Sequence, residues 1–312
     1  MPFRMALFGA GRWARNIARV LGERSDVKLE AVLVRQTGTP REWLGDTALY
    51  DNADALLKAH ELDGVVICTP PASHADLCIK ALDYGVPCFV EKPATLSVAD
   101  MKRIQAKAEN VGLPVVVDYI HLYSTPFQAL IREMKLRPKP KSIVALAGNT
   151  QASPRDCSIL WDWGAHDVAM ACACVGSGPA DIKAVEIWPQ KSAAFDSVRL
   201  QLNWNGVPMQ FRFSQELARK ARAFVVQFEN EVLLYSDMPS HALSRWQRAP
   251  GGRYAKASRE ILSSGGAKPL NAALDSFIDK ARKRVVDKDD LSSSVEVTRI
   301  LELCDQHLQL RG

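Results

Sequence analysis

The sequence predicts an α/β protein, with a doubly wound parallel sheet in the first half and an antiparallel sheet in the second. Up to roughly residue 120, short apolar runs alternate with segments of helical spacing, which is the β-α-β-α order of a parallel sheet covered on both faces. From Asp181 to Ser236, strand-like runs instead follow one another across short turns. A chain of 312 residues has room for two such domains.

The first half supplies the alternating pattern element by element. Each predicted strand is a short apolar run, and each predicted helix places apolar residues three and four apart. In chain order the predicted elements are strand Met5–Phe8, helix Arg12–Leu21, strand Lys28–Val34, helix Ala53–Ala59, strand Gly64–Cys68, helix Ser73–Tyr84, strand Val86–Val90, helix Val98–Asn110 and strand Pro114–Val117.

The second half is dominated by predicted strands. Corners at Asn203–Gly206 and Glu229–Glu231 read as hairpin turns. The segment Met238–Gly266 is rich in Ser, Pro and Gly and is predicted to be a long loop. The remaining predicted elements are helix Pro126–Lys135, strand Lys141–Ala147, helix Ile159–Val175, strands Ile182–Trp188, Val198–Trp204, Val207–Phe213, Ala223–Glu229 and Val232–Tyr235, and closing helices near Leu270–Arg284 and Ser292–Leu308.

The composition excludes several classes of protein. A net charge of +5, from 40 basic and 35 acidic residues, is too small for a dedicated nucleic-acid binder. No apolar stretch is long enough for a membrane span. The seven cysteines are odd in number and include no CxxC pair, which favours a reducing compartment, and the six histidines form no metal-ligand cluster with them. We expect a cytoplasmic protein without a metal site.

The first chemical signal is a glycine-rich turn. Gly9-Ala10-Gly11-Arg12-Trp13-Ala14 fits the pattern G-x-G-x-x-A, between the first predicted strand and the first predicted helix. Glycines at these positions let backbone N–H groups approach a pyrophosphate, and the positive end of the helix faces that anion. A tight turn without a ligand is the alternative. The context favours a dinucleotide site that includes Gly9, Gly11, Arg12, Trp13 and Ala14.

The residues after the second predicted strand bear on the choice of dinucleotide. An NAD site usually carries an acidic residue there, which binds the ribose hydroxyls. This chain has Val34-Arg35-Gln36-Thr37-Gly38 and no carboxylate. Arg35 could pair with a 2′-phosphate, or it could be an ordinary solvated arginine. The missing acid predicts that NADP(H) is preferred over NAD(H).

Two further motifs follow the predicted strands Gly64–Cys68 and Val86–Val90. They are Thr69-Pro70-Pro71-x-x-His74 and Glu91-Lys92-Pro93. Ligands of open α/β sheets bind beyond the carboxyl ends of the strands, so both motifs are placed to face a cofactor. A lysine at position 92 would lie near the nicotinamide and suits proton transfer or polarisation of a carbonyl, although a surface lysine is the alternative.

The last motif is Leu160-Trp161-Asp162-Trp163-Gly164-Ala165-His166-Asp167. Asp162 and His166 are four residues apart, so on one helix they would share a face. An imidazole in the first helical turn is kept neutral by the helix dipole, as a general base requires, and Asp162 could orient its ring. Gly164 would permit close approach of a ligand. A helix cap with a structural histidine is the alternative.

Taken together, these four motifs resemble the glucose–fructose oxidoreductase/inositol dehydrogenase/rhizopine catabolism family (Gfo/Idh/MocA). The resemblance extends over nearly the whole chain. It implies an N-terminal Rossmann domain, residues 1–119, and a C-terminal α/β domain, residues 120–312, with a large, mostly antiparallel open sheet. The first would bind the dinucleotide, and the second would bind substrate and form the oligomer. The closing helices are allowed to pack back on the first domain.

The resemblance also implies roles for individual residues. Lys92 matches the family's catalytic lysine, His166 its general acid/base and Asp162 the carboxylate that assists it. Glu91 and His74 match residues beside the cofactor, and Thr69 and Pro70 belong to the same stretch. Members of the family often form dimers or tetramers through the exposed face of the second sheet, so a homodimer or homotetramer is expected.

The chain departs from the family in one stretch. Many members have Tyr-Arg-x-x-Pro after the sixth strand, whereas this chain has Tyr119-Ile-His121-Leu-Tyr123-Ser-Thr-Pro126. Substrate contacts that an arginine makes there cannot be transferred. Trp13 is also unusually large for a phosphate turn.

Three functions therefore remain in competition. The leading one is an oxidoreductase that transfers a hydride between NAD(P)(H) and a sugar, polyol or nucleotide-sugar-type alcohol or carbonyl, with Lys92 and His166 at the reacting oxygen. The second is a non-catalytic dinucleotide-binding regulator on the same fold, because a fold does not fix a function. The third is a reductase of an imine or other unsaturated group. The partner is a small molecule in all three.

Overall fold

The computed structural model describes residues 1–38, 42–150, 157–188, 197–238, 241–249 and 254–309. The chain divides into two compact units. The first unit consists of Met1–Asp118 with Ala273–Val295, and the second consists of Tyr119–Ala272 with Glu296–Gly312. Both unit boundaries near the end of the chain fall inside the two closing helices.

The first unit contains a parallel sheet of six strands within the described residues, in the order β3-β2-β1-β4-β5-β6. This order reverses between β1 and β4, where α/β proteins place their ligands. The elements are β1 Phe3–Phe8, α1 Arg12–Gly22, β2 Val27–Leu33, β3 Ala48–Tyr50, α2 Ala53–Ala59, β4 Gly64–Ile67, α3 His74–Asp83, β5 Cys88–Val90, α4 Val98–Val111 and β6 Val115–Val117.

The helices of this unit begin and end where the local chemistry dictates. Asn52 caps α2 by accepting a hydrogen bond from the Ala55 N–H at 2.9 Å. Ser97 caps α4 in the same way, and Gly112 ends α4 in the left-handed region at a φ of 68°. Strand β3 is the one element of the parallel sheet that the sequence did not predict; at three residues it is too short to show a pattern.

The closing helices are α8, Pro269–Lys283, and α9, Lys288–Gln309. The part of α8 that belongs to the first unit packs on its sheet through Phe277. That ring lies 6.2 Å from Phe3 and 5.7 Å from Phe89. Gly64 at the start of β4 makes room for it, because a Cβ there would lie 2.8 Å from the Phe277 ring.

The second unit contains an eight-stranded sheet within the described part of the chain, in the order β14-β13-β12-β11-β7-β10-β9-β8. All neighbours are antiparallel except β7 and β10. The elements are α5 Thr125–Lys135, β7 Ser142–Gly148, α6 Ile159–Asp162, α7 Gly164–Val175, β8 Ala180–Trp188, β9 Ser197–Trp204, β10 Val207–Ser214, β11 Ala221–Gln227, β12 Glu231–Met238, β13 Ala242–Arg248 and β14 Tyr254–Ser264.

The prediction of a long loop at Met238–Gly266 is wrong. Most of this segment forms β13 and β14, which extend the sheet, while residues 239–240 and 250–253 lie outside the described residues. Cross-strand contacts stabilise the pair: Arg245 bonds to Glu260, and the Arg259 guanidinium lies 5.7 Å from the centre of the Trp246 ring. The small and polar residues suggested a loop, but pairing with β12 decided the structure.

The two faces of this sheet differ in character. In the antiparallel register Leu200 lies opposite Phe211, and Val198 lies opposite Phe213, so these residues share one face, and all four are buried. The apolar residues of β9 and β10 therefore do not point to opposite faces. The other face carries half-buried apolar residues on adjacent strands: Val144 on β7, Val225 on β11 and Leu234 on β12.

No helix among the described residues combines the length and apolar character that a bilayer crossing requires.

Candidate active site

The turn after β1 is shaped by its first glycine. Gly9 has a φ of 115°, which L side chains rarely adopt, and a Cβ there would lie 2.6 Å from the Cys68 carbonyl oxygen. Its N–H donates to the Leu33 carbonyl at 2.9 Å. The turn is thus pressed against the ends of β2 and β4, and only glycine fits.

The start of α1 is left open for an anion. Gly11 is the N-cap residue and provides no side-chain cap, and the first turn contains no acidic residue. A Cβ on Gly11 would meet nothing within 4 Å. Arg12 and Trp13 are exposed, whereas Ala14 is fully buried and lets α1 pack closely on the sheet. Free first-turn N–H groups and open space beside Gly11 fit a pyrophosphate.

The carboxyl edge of the sheet brings three polar side chains into one row. Phe8, Ile67, Val90 and Val117 are aligned in neighbouring strands. The next residues continue this register through backbone hydrogen bonds of 2.8 Å each. Neighbouring residues of parallel strands share a face. The three side chains in the row are Cys68, Glu91 and Asp118.

Burial controls the acid chemistry of this row. Desolvation raises the pKa of Asp118 to about 6, and it raises the pKa of Glu91 as well. The positive charge of Lys92 opposes both shifts. The indole of Trp13, in the glycine-rich turn, also favours the charged form of Asp118 and so lowers its pKa. Glu91 and Asp118 therefore form an acid pair that retains a proton at a higher pH than ordinary carboxyls do.

His74 connects two of the loops at this edge. Its Nε2 lies 2.7 Å from the Thr69 carbonyl oxygen, and its Nδ1 lies 3.1 Å from the Pro93 carbonyl oxygen. The side chain is fully buried. Thr69 is held further by a 2.7 Å contact between its hydroxyl and that of Ser73, and Pro70 precedes the short 3-10 helix Pro71–Ser73. The ring thus links the loop after β4 to the loop that carries Lys92.

Arg35 lies two residues beyond the end of β2 and is exposed. The preceding residue, Val34, is buried and donates its N–H to the Tyr50 carbonyl at 2.7 Å. The Arg35 side chain is therefore anchored at its base and open to solvent beyond it.

In the second unit, the predicted helix over Ile159–Val175 is two helices. α6 ends at Asp162 and α7 begins at Gly164, with Trp163 between them in helical geometry. Gly164 serves packing rather than ligand approach, because a Cβ there would lie 3.1 Å from the Phe213 ring and 3.4 Å from Leu301. His166 lies in the first turn of α7, as the sequence predicted, and is 9% exposed.

Two residues outside the predicted site, His121 and Arg222, lie near the first turn of α7. The His121 ring contacts the His166 ring edge to face, with 4.9 Å between the ring centres. Asp167 is buried and paired with Arg222, which is also buried. His121 belongs to the stretch that departs from the family pattern, which was a usable signal. Arg222 comes from strand β11, and no local signal connects it to α7.

The order of the parallel sheet and the glycine turn define the class of the first unit, which is a dinucleotide-binding Rossmann fold. Residues 3–119 match the Gfo/Idh/MocA family, which is described as an oxidoreductase family with an NAD-binding Rossmann fold. The match covers less than half of the chain.

Two curated relatives illustrate the sequence similarity. The chain is 29% identical to a D-apiose dehydrogenase from Paraburkholderia graminis over 43% of its own length and 36% of the relative's. It is 27% identical to a UDP-N-acetylglucosamine 3-dehydrogenase from Acidithiobacillus ferrooxidans over 56% of both chains. The similarity thus spans less than two thirds of either relative.

Solved structures extend the likeness in fold to the whole chain. A UDP-N-acetylglucosamine 3-dehydrogenase from Acidithiobacillus ferrooxidans superimposes with a TM-score of 0.84 at 19% identity, over 98% of both chains. A 3-ketoreductase from Actinomadura kijaniata, solved as a K102A mutant with TDP-benzene and NADP, superimposes with a TM-score of 0.83 at 14% identity, again over 98% of both. At these identities the comparison concerns the fold alone.

Proposed function

We propose that the chain is a nicotinamide-dependent oxidoreductase that prefers NADP(H) and acts on a sugar, polyol or nucleotide-sugar-type alcohol or carbonyl. The observation that carries this proposal is the open start of α1, where a Cβ on Gly11 would meet nothing within 4 Å and the first turn has neither a side-chain cap nor an acidic residue. That arrangement suits the pyrophosphate of a dinucleotide.

The residues fit the cofactor as follows. The turn with Gly9, Gly11, Arg12 and Trp13 would hold the pyrophosphate, with Ala14 packed beneath it. Arg35 would pair with the 2′-phosphate. The loops with Thr69, Pro70 and Glu91-Lys92 would face the nicotinamide, and His74 would support them from behind, since it has no exposed surface. When bound, the nicotinamide supplies hydride transfer at its C4 carbon.

The chain's own residues would manage the proton. In oxidation, a hydride leaves the alcohol carbon and the hydroxyl proton passes to His166, so that a carbonyl remains; reduction reverses both transfers. The Lys92 ammonium would stabilise negative charge that develops on the reacting oxygen. Asp162, one turn before His166, would fix the tautomer of its ring.

The two domains would have different roles. Residues 1–119 would bind the dinucleotide, and residues 120–312 would bind the substrate and form the oligomer. The two curated relatives are named as dehydrogenases of D-apiose and of UDP-N-acetylglucosamine, which supports the sugar class of substrate.

A two-stage experiment tests the proposal. NADPH and NADH are first titrated into the protein by fluorescence, and the complex is then offered UDP-N-acetylglucosamine, free pentoses and inositols while absorbance of the reduced nicotinamide is followed. We expect tighter binding of NADPH and turnover of one of these classes. Failure of both cofactors to bind would refute the proposal. Binding without turnover of any alcohol or carbonyl would favour the dinucleotide-binding regulator, and turnover of imines alone would favour the third function.

A further inference from the structure

The second unit brings two imidazole rings into direct contact. The planes of His121 and His166 are 88° apart, with the ring centres 4.9 Å apart. His166 comes from the first turn of α7, and His121 comes from the short 3-10 helix Ile120–Tyr123 that packs against it. Exposure is 5% for His121 and 9% for His166, so the contact is made away from bulk solvent.

His121 is itself fixed from the other side by a tyrosine. Its Nδ1 lies 3.0 Å from the Tyr235 hydroxyl oxygen, and Tyr235 on β12 is fully buried. Burial raises the pKa of the Tyr235 phenol, so the phenol keeps its proton and can donate it to Nδ1. The proton of a neutral His121 ring then resides on Nε2. The Phe127 ring, 5.6 Å from Tyr235, packs the phenol in place.

Two charged imidazoles cannot occupy this contact without repulsion. Protonation of either ring therefore disfavours protonation of the other. The nearby Asp167 carboxylate is paired with Arg222, and above about pH 6, where Asp167 is ionised, that pair adds no net charge. The same and adjoining elements carry further titratable or charged residues, which are Cys172 and Cys174 on α7, Tyr123 on the 3-10 helix, Asp162 on α6, Arg132, Glu133 and Lys135 on α5, Arg212 on β10, and Glu231, Tyr235 and Asp237 on β12.

We propose that His121 is a positioning residue for His166, which fixes the orientation of that ring and keeps it neutral through their edge-to-face contact, with Tyr235 fixing His121 in turn. This inference rests on the proposed role of His166 as the acid/base of the reaction. It names a residue in the stretch where the chain lacks the arginine of the family pattern.

The direct test is the titration of His166 by NMR in the protein without ligands, so that it does not depend on finding a substrate. The His166 signals are assigned from their loss in His166→Gln. Replacement of His121 by Phe keeps a ring but removes its charge and its bond to Tyr235. We expect the titration midpoint of His166 to rise by about 0.5 to 1 pH unit, the size of the repulsion between two charges about 5 Å apart in a well-screened site.

The chain offers a matched control in its first unit. Tyr50 and His60 form a second tyrosine–histidine pair, with 3.1 Å between the hydroxyl oxygen and Nε2 and rings 86° apart. His60→Phe removes an equivalent pair far along the chain from α7. The His166 midpoint should stay where it is in this variant.

A second variant keeps the inference testable if His121→Phe does not fold. Tyr235→Phe removes one hydroxyl and leaves both imidazoles. We expect it to lower kcat roughly tenfold, the usual effect of one hydrogen bond, and to leave the Kd for NADPH unchanged. A His166 midpoint that does not move in His121→Phe, or unchanged kcat in Tyr235→Phe, would overturn the inference while the proposed function stands. If the unmodified protein shows no turnover, the proposed function is refuted, but the effect of His121→Phe on the titration of His166 can still be measured.

Discussion

The guanidinium of Arg222 on β11 is paired with the carboxylate of Asp167 on α7, and both side chains are buried. Arg222 also lies over the Trp163 ring at 5.5 Å. This ion pair fastens the first turn of α7 to the sheet directly beside His166. Desolvation nevertheless raises the pKa of Asp167 to about 6, because burial opposes its charge more than Arg222 supports it.

Replacement of Arg222 by Met should destabilise the protein. The substitution leaves a buried carboxylate without its cation, which typically costs about 3–5 kcal/mol. The loss should be larger at pH 8 than at pH 5, since Asp167 can take up a proton at the lower pH and become neutral. Urea denaturation at the two pH values measures this. The matched control is Arg199→Met, which removes an exposed cross-strand pair with Glu186 and should cost at most about 1 kcal/mol. Equal losses in the two variants would contradict the prediction.

Replacement of Asp118 by Asn should stabilise the protein as the pH rises. The folded-state pKa of Asp118, about 6, lies above its ordinary value of 3.8, so the folded protein holds a proton that the unfolded chain releases. Stability attributable to this group is therefore fully present below pH ~4 and is lost between pH ~4 and ~6. Relative to the natural protein, the variant should gain up to about 3 kcal/mol across that window and then level off.

The control for this prediction is the exposed Asp46, changed to Asn. The Asp46 side chain is exposed, so this variant reports the effect of the same substitution away from the buried acid pair. If the stability difference between Asp118→Asn and the natural protein does not change with pH, then Glu91, rather than Asp118, holds the proton of the acid pair.

Arg35→Ala should weaken NADPH binding by about 10- to 100-fold and leave NADH binding nearly unchanged. A charge-assisted hydrogen bond to the 2′-phosphate contributes roughly 1.5–3 kcal/mol, and NADH has no such phosphate. Fluorescence titration of both cofactors provides the measurement. Arg12→Ala, in the turn itself, is a useful comparison, since it should affect both cofactors alike. If Arg35→Ala weakens the binding of NADPH and NADH equally, Arg35 does not bind the 2′-phosphate.

Lys92→Met should abolish turnover and leave cofactor binding nearly intact, because methionine keeps the length of the side chain and removes its charge. His166→Ala should lower kcat by about 10²–10⁴-fold, the usual contribution of general acid/base catalysis. Asp162→Asn should cost less, since that carboxylate would only orient the ring. Steady-state kinetics with NADPH titrations on the same samples separate the effects. If His166→Ala retains the full kcat, His166 takes no part in the reaction.

The half-buried apolar residues on the open face of the second sheet predict a homodimer or homotetramer. Val144, Val225 and Leu234 are adjacent across three strands and suit a symmetric contact with a second copy. Light scattering at micromolar concentration should give a mass above that of one chain. Val225→Glu should reduce this mass to that of a monomer, whereas Val285→Glu, at an apolar residue that is 46% exposed elsewhere, should not. A monomer before any substitution would contradict the prediction.

The sequence by itself determined the features that short-range chemistry controls. The glycine turn was recognisable because Gly9 needs a backbone that other residues avoid, and the strand that precedes it and the helix that follows it are strongly patterned. The parallel sheet followed from apolar runs that alternate with amphipathic helices. The placement of His166 in the first turn of a helix was also correct.

Only the tertiary structure decided which distant residues meet. Strands β13 and β14 carry the small and polar residues of a loop, but the pairing of β13 with β12 and of β14 with β13 overrode that local preference. Gly164 looked like a site for a ligand, but the Phe213 ring occupies the space beside it. His121 and Arg222 reach α7 from elements 45 and 56 residues away from His166, so no local pattern could show that they meet α7, although the unusual stretch around His121 was visible in the sequence. Contacts between remote segments depend on how all the strands of the sheet are paired and aligned. That alignment depends on many residues at once and cannot be read from any one stretch of the sequence.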